Sequence, residues 1–151
     1  MKRVDALLAD YGSYHRTRGN FACHAVGVPL IVFGILSFLG LLRLPIEGVT
    51  AAEALIAAAF VFYAALDLPL ALALLVPEVL LDLAARAADS WKIGLAAFVV
   101  GWIFQGIGHA RFEKKAPAFL RNLVHLLIGP LFLVNELLGV RPVLSAQAAE
   151  K

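Results

Sequence analysis

The side chains with the clearest capacity for chemistry are four histidines, His15, His24, His109 and His125. Neutral imidazole is the commonest metal ligand among side chains. Each one alone is readily explained as a hydrogen-bonded residue at a membrane boundary. As a set they are less ordinary, because each falls at the edge of an apolar segment and the rest of the chain has no histidine. His15 and His24 are nine residues apart, about 2.5 turns of an unbroken helix and therefore on opposite faces. They converge only if the chain bends, and Gly19-Asn20 offers a bend, glycine by tolerating positive φ and asparagine by capping the helix that follows.

Gln105, His109 and Glu113 recur every four residues. On one continuing helix they would present an amide, an imidazole and a carboxylate along a single face. His109 would then be a ligand, with Glu113 accepting its second ring N–H or joining the metal directly. A solvated Glu113 paired with Lys114 or Arg111 is the alternative. His125 lies one turn beyond Asn122, and Asp67 is expected on the same side, near enough to orient a histidine, although a structural hydrogen-bonding role suits it equally. Asn135 and Glu136 fall roughly 15 Å deeper and belong to packing or to the far interface.

Three or four imidazoles with at most one carboxylate and no thiolate suit Fe(II), Zn(II) or Cu(II) rather than calcium or magnesium. Iron is favoured where a greasy substrate reacts with O₂. Arg111, Lys114 and Lys115, with Arg121 nearby, are placed to receive a substrate carboxylate, although the ordinary excess of basic residues in cytoplasmic loops explains them as well. Ser13, Ser37, Ser90 and Ser145 lack any GxSxG setting, so no hydrolase nucleophile is indicated. Cys23 is the single cysteine, which excludes an internal disulfide and a CxxC motif; it reads as a small apolar packing residue.

The elements that hold these residues are set by composition. The 151 residues are 62% hydrophobic and 16% charged, with a mean hydropathy of +0.86, against about a quarter charged in soluble domains. Lipid must replace water as the solvent of most of this surface. A net charge of +2 and basic runs no longer than two residues give no footprint for nucleic acid. The first twenty residues contain no apolar stretch, so no cleavable signal peptide is expected.

The expected fold is all-α, a single polytopic membrane domain over residues 1–151. Residues 1–20 form an interfacial segment, with Val4, Leu7, Leu8 and Tyr11 as the apolar stripe of a short amphipathic helix. About 20 apolar residues cross the hydrocarbon layer, and Ala22–Leu42 meets that requirement. Ala51–Ala88 is too long for one span and is interrupted by Asp67 and Pro69. It reads as a hairpin of short arms, Ala52–Leu66 and Leu68–Leu83, with Pro77, Glu78 and Asp82 marking the distal end of the second. Trp91–Gly108 is a fourth span, Ala110–Arg121 a polar loop, Leu123–Val140 a fifth span, and Arg141–Lys151 a frayed tail. The basic N-terminus and the basic Ala110–Arg121 loop share the cytoplasmic side only if an even number of spans separates them. The hairpin supplies that even number and brings all four histidines to one face, on the cytoplasmic side of what reads as a bacterial inner membrane.

The run Tyr14-His15-x4-Asn20-x3-His24-x2-Gly27-x-Pro29, the run Gln105-x2-Gly108-His109-x2-Phe112-Glu113-x3-Pro117-Ala118, and Gly129-Pro130-Leu131-Phe132 ahead of Glu136 together resemble the membrane family of the fungal 2-hydroxy fatty acid dioxygenase. The resemblance extends from Tyr11 to about Leu138. It implies an Fe(II)-dependent α-oxidation in which a long-chain 2-hydroxy fatty acid and O₂ give an acid one carbon shorter. It also implies His15, His24 and His109 as iron ligands and leaves the role of His125 open; Asn20, Gln105 and Asp67 are expected, from their positions, behind the ligands. Two other readings compete: a small b-type cytochrome with two axial histidines, and a non-catalytic membrane scaffold. The charge pattern makes the first prediction: cysteines introduced at Ser13 and Ala116 should be labelled by an impermeant thiol reagent from the same side of the membrane. Labelling from opposite sides would refute the shared histidine face.

Overall fold

Within lipid every backbone polar group must find its partner inside its own segment, and the computed structural model, which describes residues 3–114, 120, 122–141 and 143, is accordingly built from helices. In chain order they are α1 (Arg3–Ser13), α2 (Arg18–Leu39), α3 (Ala51–Leu66), α4 (Leu68–Ala88), α5 (Trp91–Ile107), which runs on as a π-helical segment (Gly108–Glu113), and α6 (Val124–Leu138). Three are long and apolar enough to cross a membrane: α2, α4, and α5 with its π-helical extension; α3 and α6, at 16 and 15 residues, are shorter apolar helices. The all-α membrane bundle expected from composition is what the chain forms.

Several boundaries differ from the sequence reading. α2 begins at Arg18, capped by Thr17, whose hydroxyl accepts from the Asn20 N–H. The bend between His15 and His24 therefore precedes Gly19-Asn20, and Asn20 is a helical residue instead of the cap. α4 continues to Ala88, so the second arm of the hairpin is a full-length span and Pro77 lies inside it. Glu78 and Asp82 do not end that span because their side chains are buried within the bundle. Asp82 accepts from Arg86 Nε at 2.8 Å, and Arg86 also pairs with Glu53 of α3. The helix after α5 runs on to Glu113 instead of becoming a loop at Ala110; residues 115–119 and 121 of the expected loop lie outside the described residues.

Asp67 builds the turn between α3 and α4. It is the C-cap of one and the N-cap of the other, accepting from the Leu70 N–H at 3.1 Å, and Pro69 sits in the first turn where its missing donor costs nothing. Arg141, assigned to the tail by the sequence, belongs to the packed body. Its guanidinium pairs with Asp67 at 2.6 Å and with Asp5 of α1 at 3.0 Å, and the Asn135 side chain clasps its backbone N–H and C=O. Of the tail, residues 142 and 144–151 lie outside the described residues.

α1 has the expected apolar stripe but spends it on the bundle: Val4, Leu8 and Tyr11 are buried in one cluster with Tyr63, Leu70, Leu74, Ile128 and Phe132. The closest helix pair is α2 with α5, which run antiparallel along a seam of small residues. A Cβ at Gly27 would come within 2.8 Å of the Gly101 carbonyl oxygen, one at Gly34 within 2.7 Å of that of Gly94, and one at Gly101 within 2.7 Å of that of Gly27. At the end of the seam nearest the histidines, a Cβ on Gly108 would collide with Asn20 Oδ1. The contacts recur every seven residues, 20, 27 and 34 against 108, 101 and 94, the period that keeps two helices in register over several turns. Small residues at such spacing let helix backbones approach closely in lipid.

This seam predicts a contrast between neighbouring glycines. Gly101→Ala should lower stability by about 1–3 kcal/mol through overpacking. Gly106→Ala, with nothing within 4 Å of its added methyl, should change stability by no more than about 1 kcal/mol. Thermal unfolding in detergent measures both, and equal effects would show that the seam is not tight.

Candidate metal centre

His15 lies in the short connection after α1, where the Tyr14 and His15 amides close a turn onto the Tyr11 and Gly12 carbonyls at 3.1 and 3.0 Å. His15 Nδ1 donates to the Tyr11 carbonyl at 2.8 Å, and the Tyr11 ring stacks on it at 4.0 Å with an 8° interplanar angle. His24 does the same one turn into α2, with Nδ1 donating to the Asn20 carbonyl at 2.9 Å. A carbonyl only accepts, so both rings carry their hydrogen on Nδ1. Their Nε2 atoms are then both lone-pair donors to a metal, and they face each other at 3.0 Å. Two facing lone pairs repel unless a cation lies between them. The separation is what two imidazole nitrogens take up when each is about 2.1 Å from one ion in neighbouring positions.

His109 completes the group, with its ring centroid 4.9 Å from that of His15 and 5.1 Å from that of His24, nearly perpendicular to both. One ligand atom from each of the three lies within 4.8 Å of the others, and all three residues are buried. His109 Nδ1 is buried with no partner. Burial, and His24 beside it, push the His15 pKa down to about 3, so the ring stays neutral and its lone pair stays available. Three neutral imidazoles with fixed orientations, aimed at one another in a dry place, fit a metal ion of the transition series.

The other sequence candidates have different surroundings. Glu113 Oε1 accepts from Thr17 N at 2.8 Å, Thr17 Oγ1 at 3.0 Å and Asn20 Nδ2 at 3.2 Å. This carboxylate ties the end of the π-helical extension of α5 to the start of α2, and puts a negative charge within electrostatic reach of His24 and His109. Glu113 ends a π-helical segment that begins at Gly108, and its carboxylate is engaged with Thr17 and Asn20 outside the three-histidine group. Lys114, at φ 54°, then ends the segment in the left-handed region.

His125, expected as a possible fourth ligand, is buried but outside the three-histidine group, with Nε2 bonded to Asp10 Oδ2 at 2.9 Å. Gln105 is buried close by with Nε2 unpartnered. Asp67 is engaged at the α3–α4 turn with Arg141. Arg111 and Lys114 are exposed, and Lys115 lies outside the described residues. Tyr11, Thr17 and Asp10 escaped the sequence reading. The four-residue spacing of Tyr11 and His15 could have revealed the first, whereas nothing in the sequence links Asp10 to His125.

A cavity of about 350 Å³ opens from the histidines, with Tyr11, Gln105 and His125 also at its polar end. Its walls are apolar, chiefly Val28, Ile31 and Ile35 of α2, Phe98 and Trp102 of α5, and Leu126 of α6. From His24 to Ile35 it follows α2 for roughly 16 Å.

An all-helical membrane bundle with three converging imidazoles at the head of an apolar cavity defines the class. The chain belongs to the Mpo1-like family, whose model, described as 2-hydroxy-palmitic acid dioxygenase Mpo1-like, matches residues 1–141. It is 37% identical over 147 residues to 2-hydroxy-palmitic acid dioxygenase MPO1 of Saccharomyces cerevisiae, an alignment covering 92% of this chain and 83% of the yeast protein. No solved structure matches.

The geometry separates the four histidines. His15→Ala, His24→Ala and His109→Ala should each lower metal affinity by more than about 100-fold while the far-UV circular dichroism is unchanged. His125→Phe should keep its metal. Elemental analysis of protein purified without a polyhistidine tag makes the measurement, and full occupancy in the first three variants would dismiss the site.

Proposed function

We propose that the protein is a non-haem Fe(II) dioxygenase of the membrane that shortens long-chain 2-hydroxy fatty acids by one carbon. The observation that carries this reading is the facing pair of Nε2 atoms, 3.0 Å apart, at the head of an apolar cavity, in a chain related to a protein named as a 2-hydroxy-palmitic acid dioxygenase. The overall reaction balances with O₂ as the only oxidant: RCH(OH)COOH and O₂ give RCOOH, CO₂ and H₂O, the carbon atoms losing the four electrons that O₂ takes up.

Iron, when bound, supplies the redox capacity that O₂ chemistry needs and a positive charge for the acid head group. His15, His24 and His109 hold it, and the Tyr11 and Asn20 carbonyls keep two of those rings in the ligating tautomer. The walls from Val28 to Ile35, with Phe98 and Trp102 opposite, take the alkyl chain and exclude water from the reacting head. Arg111, Lys114 and Lys115 draw the carboxylate toward this end. Glu113 positions the site by tying the first turn of α2 to the end of the π-helical extension of α5, so that Asn20, His24 and His109 keep their spacing. In a bacterial cell the histidine end would face the cytoplasm, in line with the basic residues around it.

Protein supplied with Fe(II), O₂ and 2-hydroxy-palmitic acid should yield the acid one carbon shorter, and palmitic acid should not react, because only the 2-hydroxy acid offers two oxygens to one metal at the reacting carbons. Mass spectrometry of the extracted acids decides. Equal turnover of both acids, or undiminished turnover after complete iron removal, would overturn the proposal.

A further inference from the structure

The polar end of the cavity holds one buried imidazole outside the three-histidine group. His125 is 3% exposed, and its Nε2 lies 2.9 Å from Asp10 Oδ2. An ionised carboxylate only accepts, so Nε2 carries a hydrogen, and in the neutral ring Nδ1 is left as a bare acceptor. Nδ1 is buried and has no partner, a costly state for a polar atom unless a ligand completes it. Because His125 lines the same cavity as His15, His24 and His109, a hydrogen-bond donor on a molecule that enters the cavity could complete it.

The head of a 2-hydroxy acid contains one donor, its hydroxyl, and an ionised carboxylate that only accepts. An acceptor at Nδ1 attracts the first and repels the second, so it fixes which way round the head group sits. We infer that His125 accepts a hydrogen bond from the 2-hydroxyl group and is the residue that tells a hydroxylated from a plain fatty acid. Asp10 is a positioning residue that holds the accepting tautomer from α1. The inference rests on the proposed function for the identity of the ligand, and on Asp10, His125 and the unpaired Nδ1 for the contact itself. Asp10 suits a test because its side chain is 56% exposed, so its replacement leaves the core intact. In Asp10→Asn the amide can donate to Nε2, which moves the ring hydrogen to Nδ1 and turns the acceptor into a donor.

The experiment uses the full chain loaded with Fe(II) in the absence of O₂, so that binding is read without turnover. Affinities for 2-hydroxy-palmitic acid and palmitic acid are measured by titration calorimetry in detergent, with the iron content of the same samples. In Asp10→Asn and His125→Phe, affinity for the hydroxylated acid should fall about tenfold, with iron content and palmitic acid affinity unchanged. Asp10→Glu should restore the preference. An unchanged ratio of the two affinities in His125→Phe would overturn the inference. So would loss of iron from His125→Phe to the extent seen in His15→Ala, which would make His125 a fourth ligand. If the loaded wild-type protein fails to shorten the acid in air while the ratio still collapses in the variants, the proposed reaction falls and hydroxyl recognition stands.

Discussion

The constraint on which the rest depends is the close approach of the α2 and α5 backbones. Glycines at 27, 34, 94 and 101 remove every side chain that would hold the two helices apart, and the seven-residue interval keeps the contact in register from one end to the other. His24 lies between the last two contacts of that seam and His109 directly after its last glycine, on the two segments that the seam joins. With helices this close, two imidazoles that start from different backbones reach the same point. The last member of the seam, Asn20 against Gly108, does double duty: its carbonyl orients His24 while its amide holds Glu113.

The site combines two kinds of support. Orientation of the rings is local, since His15 and His24 each bond a carbonyl one turn back along the chain. Convergence is long-range, since Glu113 reaches across 96 residues to Thr17. Local bonds fix tautomers cheaply because little chain entropy is lost in closing them, whereas the long-range bonds exist only once the helices have packed. The apolar cavity beside the site borders the same seam, since Ile31, Phe98 and Gln105 of its walls also pack against the seam glycines.

Much of this was legible in the sequence. Composition forced an all-α membrane bundle, and Pro69 with Asp67 revealed the hairpin turn because their backbone requirements are local. The convergence of His15, His24 and His109 could be argued from their positions at the ends of apolar segments. The rest depended on geometry that spacing does not encode. The π-helical bonding from Gly108 to Glu113 has no mark in the sequence, and neither has the hold of Glu113 on Thr17 and Asn20. Thr17 displaced Asn20 as the cap, since either type can cap and only packing decides between them. Glu78 and Asp82 looked like the end of a span because charge is costly in lipid, yet they face inward, where Asp82 has Arg86. His125 and Asp10 are 115 positions apart, and no periodicity joins them.

Arg141 gives the architecture a direction in time. Its guanidinium joins Asp5 of the first helix to Asp67 at the middle turn, and it leaves the ribosome after all six helices. Until it arrives, α1 lacks this ionic clamp and is held by its apolar contacts, by the Asp10–His125 bond and, through the connection that follows, by Thr17 and Glu113. The first helix is therefore fastened in two stages, by packing and hydrogen bonds while the chain is still emerging and by ion pairs once residue 141 has followed, and the second stage draws the opening segment of the chain against its middle turn.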